Sequence, residues 1–274
     1  MNKKQMIGVT GYSGNLGSRL IKMNGCEPLR CNILDSKEVR EELYRVNPDV
    51  VLHLAAETRV DYCEQHYEDA LAVNMHGTAL VCEWAEKIIG AGRVAVLSSD
   101  HVFNGEKGFY SEGDEPDPIN NYGMSKLGTE SVAKLYGDRI VRLSRCFDSK
   151  SKDINEYLEA VKRGEDIFVP DHMRKSYAHM DFVAESLYQY AMRFDEMPEI
   201  LHVSGDVNLS FYELMCYIVA EMNYEKRGSV WYRGDELGHA PRPFLAGLNP
   251  ALSHKLGLPN ISISSSVKRL CNEL

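Results

Sequence analysis

Apolar residues gather in short runs along the first half of the chain. After each run they recur at helical spacing through a longer stretch. The pattern predicts strands at 5–10, 28–31, 49–56, 93–99 and 139–144. It predicts helices at 14–24, 36–46, 70–89 and 121–136, with Asp35 or Ser36 placed to cap the second. DVVLHLAA and RVAVLSS are apolar almost throughout, which suits strands covered on both faces of a sheet. Strand and helix alternating in this order predict an α/β fold, a doubly wound parallel sheet of Rossmann-like type. Ligands then bind at the carboxyl ends of the strands.

The pattern loosens after Phe147. A helix at 154–163, a strand at 167–170 and a helix at 181–194 are expected, and the 233–259 tail is rich in Gly and Pro. Residues 1–148 are expected to form a dinucleotide-binding domain, with 178–204 returning to it. Residues 149–177 and 205–274 would build a smaller C-terminal substrate-binding lobe.

Composition narrows the classes. With 274 residues and 44% apolar content, the chain can bury a core without staples. A net charge of −9, spread along the length, argues against nucleic acid or an anionic membrane as partner. Seven cysteines without a CxxC pair read as reduced thiols of a cytoplasmic protein. Nine histidines, His172 and His239 among them, lack paired ligand spacing, so no metal is expected.

VTGYSGNLGSRL places Gly11, Gly14 and Gly17 between the first strand and first helix, with Tyr12, Ser13, Asn15 and Leu16 interleaved. Glycines let backbone N–H groups approach a pyrophosphate there, although an ordinary glycine-rich turn has the same composition. Arg30, Asn32 and Ile33 after the second strand, and Leu54, Ala55 and Ala56 after the third, are the further cofactor candidates. Arg30 would face a 2′-phosphate or remain a solvated surface charge. With no acid evident at the usual place for the adenosine ribose, the reading tilts to NADP(H), with NAD(H) the alternative. His53 is either a cofactor contact or a core histidine.

NNYGMSKLGTE sets Tyr122 and Lys126 one helical turn apart. A neighbouring ammonium, with the positive charge of an oxidised nicotinamide, should lower the phenol's pKa and ready it for proton exchange. Ser98 and Ser99 end the preceding strand. Glycine loop, serine, tyrosine and lysine in this order resemble the short-chain dehydrogenase/reductase superfamily. Ser99 is then the serine that meets the substrate oxygen.

Longer stretches, NPDVVLHLAAETRVDYCE, AVNMHGT, SSDHVFNGEKGFYSEGDEPDPINNYGMSK and APRPFLAGLNPALSHKLGL, resemble dTDP-4-dehydrorhamnose reductase and its relatives. The likeness implies NAD(P)H-dependent reduction of a 4-keto nucleotide sugar. Ser99 would polarise the carbonyl, Tyr122 supply the proton and Lys126 bind the nicotinamide ribose. Ser99-Asp100-His101 lacks the glutamate that nucleotide-sugar dehydratases carry. The chain departs from the family at Asn32, at His101 for a tyrosine, at Arg145 for a tryptophan, and at RKSYAHMD, which looks more like sugar epimerases. Arg145, Arg174 and Arg242 are candidates for the substrate's anionic end, unless Arg174 or Arg242 pairs with Asp171 or Asp235. Two alternatives stand. One is a nucleotide-sugar epimerase; the other is a non-catalytic dinucleotide-binding protein like the regulatory subunit of methionine adenosyltransferase. A homodimer is the assembly to consider.

Overall fold

The computed structural model describes residues 5–171, 173–222, 229–233 and 240–274. His172, Asp235 and His239 lie outside the described residues. Six parallel strands form the central sheet in the order β10-β5-β4-β3-β1-β2. They are β1 (Ile7–Thr10), β2 (Cys26–Pro28), β3 (Val50–His53), β4 (Val94–Ser99), β5 (Arg139–Leu143) and, far along the chain, β10 (Ile200–Val203). Strand order reverses between β1 and β3, so the crevice lies at their carboxyl ends.

Alternation along the strands sorts the core onto two faces. Val50 and Leu52 join Ile7, Val9 and Val141 beneath Val183, Leu187 and Tyr190 of α8 (Met180–Met192). Val51, Val94 and Val96 face the other way, onto Val39 and Leu43 of α2 (Ser36–Val46) and Val81 and Ala85 of α5 (Thr78–Ile89). Asp35 caps α2, accepting from the N–H groups of Lys37 and Glu38.

Two expected helices differ from the structure. Helix 14–24 shrinks to α1 (Gly17–Leu20), because residues 11–14 are spent on a turn in which Gly14 N–H donates to the Gly11 carbonyl at 3.0 Å. The chain then turns at Gly25, φ 90°, to enter β2. The helical run through 89 starts earlier than expected. After α3 (Val60–Gln65) comes α4 (Tyr67–Leu71), and a π turn over Ala72–Gly77 leads into α5.

Beyond α6 (Asn121–Leu135) come short strands β6 (Cys146–Phe147), β8 (Arg174–Lys175), β9 (Ala178–His179) and β11 (Leu209–Ser210), with Cys146 and Lys175 lining the cleft. A separate apolar cluster joins α7 (Lys152–Lys162), β7 (Ile167–Pro170), α9 (Phe211–Met222) and α11 (Ile263–Cys271), with Leu158, Val169, Ile218 and Leu270 at its centre. Strand β12 (Val230–Arg233) pairs with β7, and α10 (Ala251–Lys255) contacts β10. No helix among the described residues is long and apolar enough to cross a membrane.

Candidate active site

A cleft of about 670 Å³ opens at the carboxyl ends of β1, β3, β4 and β5. Its floor begins with the glycine loop. Gly11 has φ 63°, and a Cβ there would lie 2.7 Å from Ala55 N. A Cβ on Gly17 would meet the Gly11 carbonyl oxygen at 2.3 Å, so neither position tolerates a side chain. Thr10 Oγ1 accepts from Leu54 N–H at 3.1 Å and Ala55 N–H at 3.2 Å, tying the ends of β1 and β3 together. Its hydroxyl proton is left for His53 Nδ1 at 2.7 Å, and His53 Nε2 faces Thr78 Oγ1 at 3.0 Å. His53 is therefore a core histidine, kept neutral with its pKa down at about 3 by burial and then Lys126. The loop is a cradle without side chains beside Asn15 and Leu16, and it fits the pyrophosphate of a dinucleotide.

Ser99 closes β4, while Tyr122 and Lys126 occupy the first turns of α6; all three are buried and line the cleft. Two caps fix the start of α6. Asn120 Oδ1 accepts from Gly123 N–H at 2.8 Å, and Glu64 Oε2 accepts from Asn121 N–H at 2.9 Å. Ser99 Oγ donates to Asp100 Oδ1 and accepts from His101 N–H, each at 3.2 Å, beside the Tyr122 phenol. The expectation that Lys126 depresses the phenol's pKa is corrected. Burial dominates and drives it upward, and the opposing pull comes from the Ser99 hydroxyl. Burial also brings Lys126 down to about 8, against the attraction of Glu130 one turn further on.

The sequence gives no direct sign of a second buried pair. Lys175 Nζ lies 3.0 and 2.9 Å from the two Asp100 oxygens, and Ser144 Oγ donates to Asp100 at 2.8 Å. Burial raises the Asp100 carboxyl, but Lys175 reverses this and the net shift is downward. Lys175 lines the cleft where Arg174 was expected. Arg174 is drawn aside by a bidentate pair with Glu213 at 2.7 and 3.1 Å, because adjacent strand residues point to opposite faces.

The other expected residues divide. Gly11, Gly14, Asn15, Leu16, Gly17, Leu54 and Ala56 line the cleft, as do Arg145 and Arg242. Arg242 is held by Asp61 at 2.9 Å, and Arg145 pairs with Asp153. Tyr12 packs on the core, Ser13 is exposed, and Ala55 lies behind Gly11. Ile33 is buried against Gly77. Arg30 and Asn32 are exposed at the end of β2, their N–H groups donating to Glu42 and Glu38 of α2. Asp61, Asp100, His101, Asn120 and Lys175 complete the site. All five lie in stretches already quoted, Asp61 in NPDVVLHLAAETRVDYCE, Asp100, His101 and Asn120 in SSDHVFNGEKGFYSEGDEPDPINNYGMSK and Lys175 in RKSYAHMD, but no spacing there marks their roles.

Fold, glycine cradle and recessed phenol together define an extended short-chain dehydrogenase/reductase, an NAD(P)-dependent oxidoreductase class. The match to the RmlD substrate binding domain model runs over residues 5–274, and the chain belongs to that family. It is 31% identical to the spore coat polysaccharide biosynthesis protein SpsK of Bacillus subtilis over 91% of either chain. Identity to methionine adenosyltransferase 2 subunit beta of Danio rerio is 29%, covering 78% of this chain and 73% of that one. The structure of dTDP-4-dehydrorhamnose reductase from Bacillus anthracis in complex with NADP superposes with a TM-score of 0.89. That match is 22% identical and covers 99% and 100% of the two chains.

Proposed function

We propose that the protein reduces the keto group of a 4-keto nucleotide sugar, using NADPH in preference to NADH. The observation that carries this reading is the convergence of Ser99, Tyr122 and Lys126 with the glycine cradle in one cleft. A bound nicotinamide dinucleotide supplies the hydride. The protein's part is to hold and protonate the substrate oxygen. Tyr122, pushed upward by burial, stays protonated through the neutral range and suits the role of acid. Ser99, anchored by His101 N–H and Asp100, orients the carbonyl oxygen against the phenol. Lys126, one turn further along α6, binds the nicotinamide ribose in this reading. Arg145 and Arg242 hold the diphosphate; Arg174, committed to Glu213, is the weakest of the three candidates.

The similarity to subunit beta of methionine adenosyltransferase 2 favours a second reading, a dinucleotide-binding regulatory subunit. One assay separates them. NADPH oxidation should follow addition of a dTDP-linked 4-keto sugar, and Tyr122→Phe should lower turnover by about 10²-fold or more with dinucleotide affinity unchanged. Loss of diphosphate contact in Arg242→Ala should weaken dTDP binding by roughly 1–3 kcal/mol. No turnover with any nucleotide-linked keto sugar, alongside intact dinucleotide binding, overturns the reductase reading.

A further inference from the structure

Two anchors leave no freedom in the Asn120 amide. Its Oδ1 accepts from Gly123 N–H at 2.8 Å, and its Nδ2 donates to the Pro241 carbonyl at 2.8 Å. The same Nδ2 lies 3.1 Å from His101 Nδ1. An amide NH₂ only donates, so Nδ1 must accept and the ring proton resides on Nε2. His101 is 6% exposed and lines the cleft, its ring edge-on to Tyr122 with centroids 5.4 Å apart. Among the described residues Nε2 has no hydrogen-bond partner, yet it is not among the sealed, unpartnered polar atoms. It opens on the cleft.

The charges around the ring reinforce this state. Asp100 and Ser99 face it from the end of β4, Asn120 and Tyr122 from α6, Lys175 from β8, and Arg242 from the segment after 240. Burial lowers the imidazole pKa first, Lys175 and Arg242 add to that, and Asp100 opposes them; the result is about 3. The ring is thereby held neutral through the neutral range.

We propose that His101 is a substrate-contacting, specificity-determining residue, a neutral imidazole whose Nε2–H donates to a sugar oxygen beside the one that Ser99 and Tyr122 engage. The inference rests on the nucleotide-sugar reading of the cleft and narrows it. The favoured sugars carry an acceptor, a hydroxyl or keto oxygen, on the carbon next to the reacting carbonyl. A deoxy centre there leaves the buried donor unpaired and is selected against.

The test joins spectroscopy to binding. In protein carrying ¹⁵N-histidine, two-bond ¹H–¹⁵N spectra assigned by the His101→Gln variant should show an Nε2–H imidazole with no titration between about pH 5 and 9. His101→Leu should raise KM and Kd for a dTDP-linked 4-keto-6-deoxyhexose by about tenfold, with kcat changed less. dTDP alone should bind that variant as it binds the wild type. His101→Gln, whose amide still donates, should recover most of the loss. An Nδ1–H tautomer or an imidazolium at pH 7 overturns the proposal. So does a His101→Leu variant that binds the nucleotide sugar like the wild type, or one that loses dTDP equally. Failure of the wild type to bind any nucleotide sugar removes the functional reading itself, and the contact with it.

Discussion

Lys175 Nζ sits 2.9 Å from Asp100 Oδ2, and both side chains are less than one-tenth exposed. The pair adjoins the reacting centre, yet its first consequence is for stability. Removing one partner strands a buried charge, which costs about 3–5 kcal/mol, whereas removing both is far milder. Lys175→Met should therefore lose most of the protein's stability margin in urea denaturation. The double variant Asp100→Asn with Lys175→Met should regain the larger part. Equal losses in single and double variants would mean that the pair is held by packing and not by charge.

Arg19 ties the glycine loop to the far half of the chain. Its guanidinium donates to Asp148 and Asp181 at 2.6 Å each and to the Asn15 carbonyl at 2.8 Å. Asp148 is fully buried, so the contact is protected from solvent. Asp148→Asn should cost on the order of 2 kcal/mol in stability and should raise the KM for the dinucleotide, because Asn15 lies in the cradle. A double-mutant cycle with Arg19→Gln should return a coupling of roughly 1–3 kcal/mol. Additive losses would rule out the link.

Legibility in the sequence followed how local each signal is. The sheet strands of the first half were readable because apolar runs such as VVLH and VAVLSS are buried on both faces. Helix α2 was readable because Asp35, one of the two caps considered, accepts from the N–H groups of its first turn. Helix α11 was not expected, since ISSSVKRLC is rich in serine, poor helix formers within a helix; its support is the Ser262 cap and the burial of Val267 and Leu270. In the site, Ser99, Tyr122, Lys126 and the glycines carry their own spacing. Lys175 and Asp61 do not. Each becomes part of the cleft only through a partner far away in sequence, Asp100 for one and Arg242 for the other. Arg174 misled for the same reason: Glu213, which holds it, has no local signature.

Arg30 is the residue proposed to meet the 2′-phosphate of NADPH. It is exposed just beyond β2, beside Glu42. Arg30→Ala should raise the KM for NADPH about tenfold, the scale of one charged hydrogen bond, and leave that for NADH unchanged. Steady-state kinetics with both cofactors measure it. A tenfold preference of the wild type for NADH would assign Arg30 to the surface alone.

Asp138 gives a prediction in which the sign of the pH effect is fixed. It is buried behind the sheet, accepting from Val94 N–H at 2.9 Å. Burial raises its pKa to about 6, against hydrogen bonds from Val94 and Cys82 that pull it down. In the unfolded chain an aspartate titrates near ~3.9, so between the two values the unfolded state has lost a proton that the folded state keeps. Stability assignable to Asp138 is thus fully present below ~3.9 and is lost as pH rises toward 6, a fall of roughly 3 kcal/mol from a gap of about two pH units. Asp138→Asn retains the acceptor for Val94 without the ionisation. Its stability relative to the wild type should be near parity at pH 4 and should improve steadily to pH 7, then level off. Urea denaturation of both proteins across that range measures the difference. A difference that stays constant with pH would show that Asp138 ionises in the folded state as freely as in water.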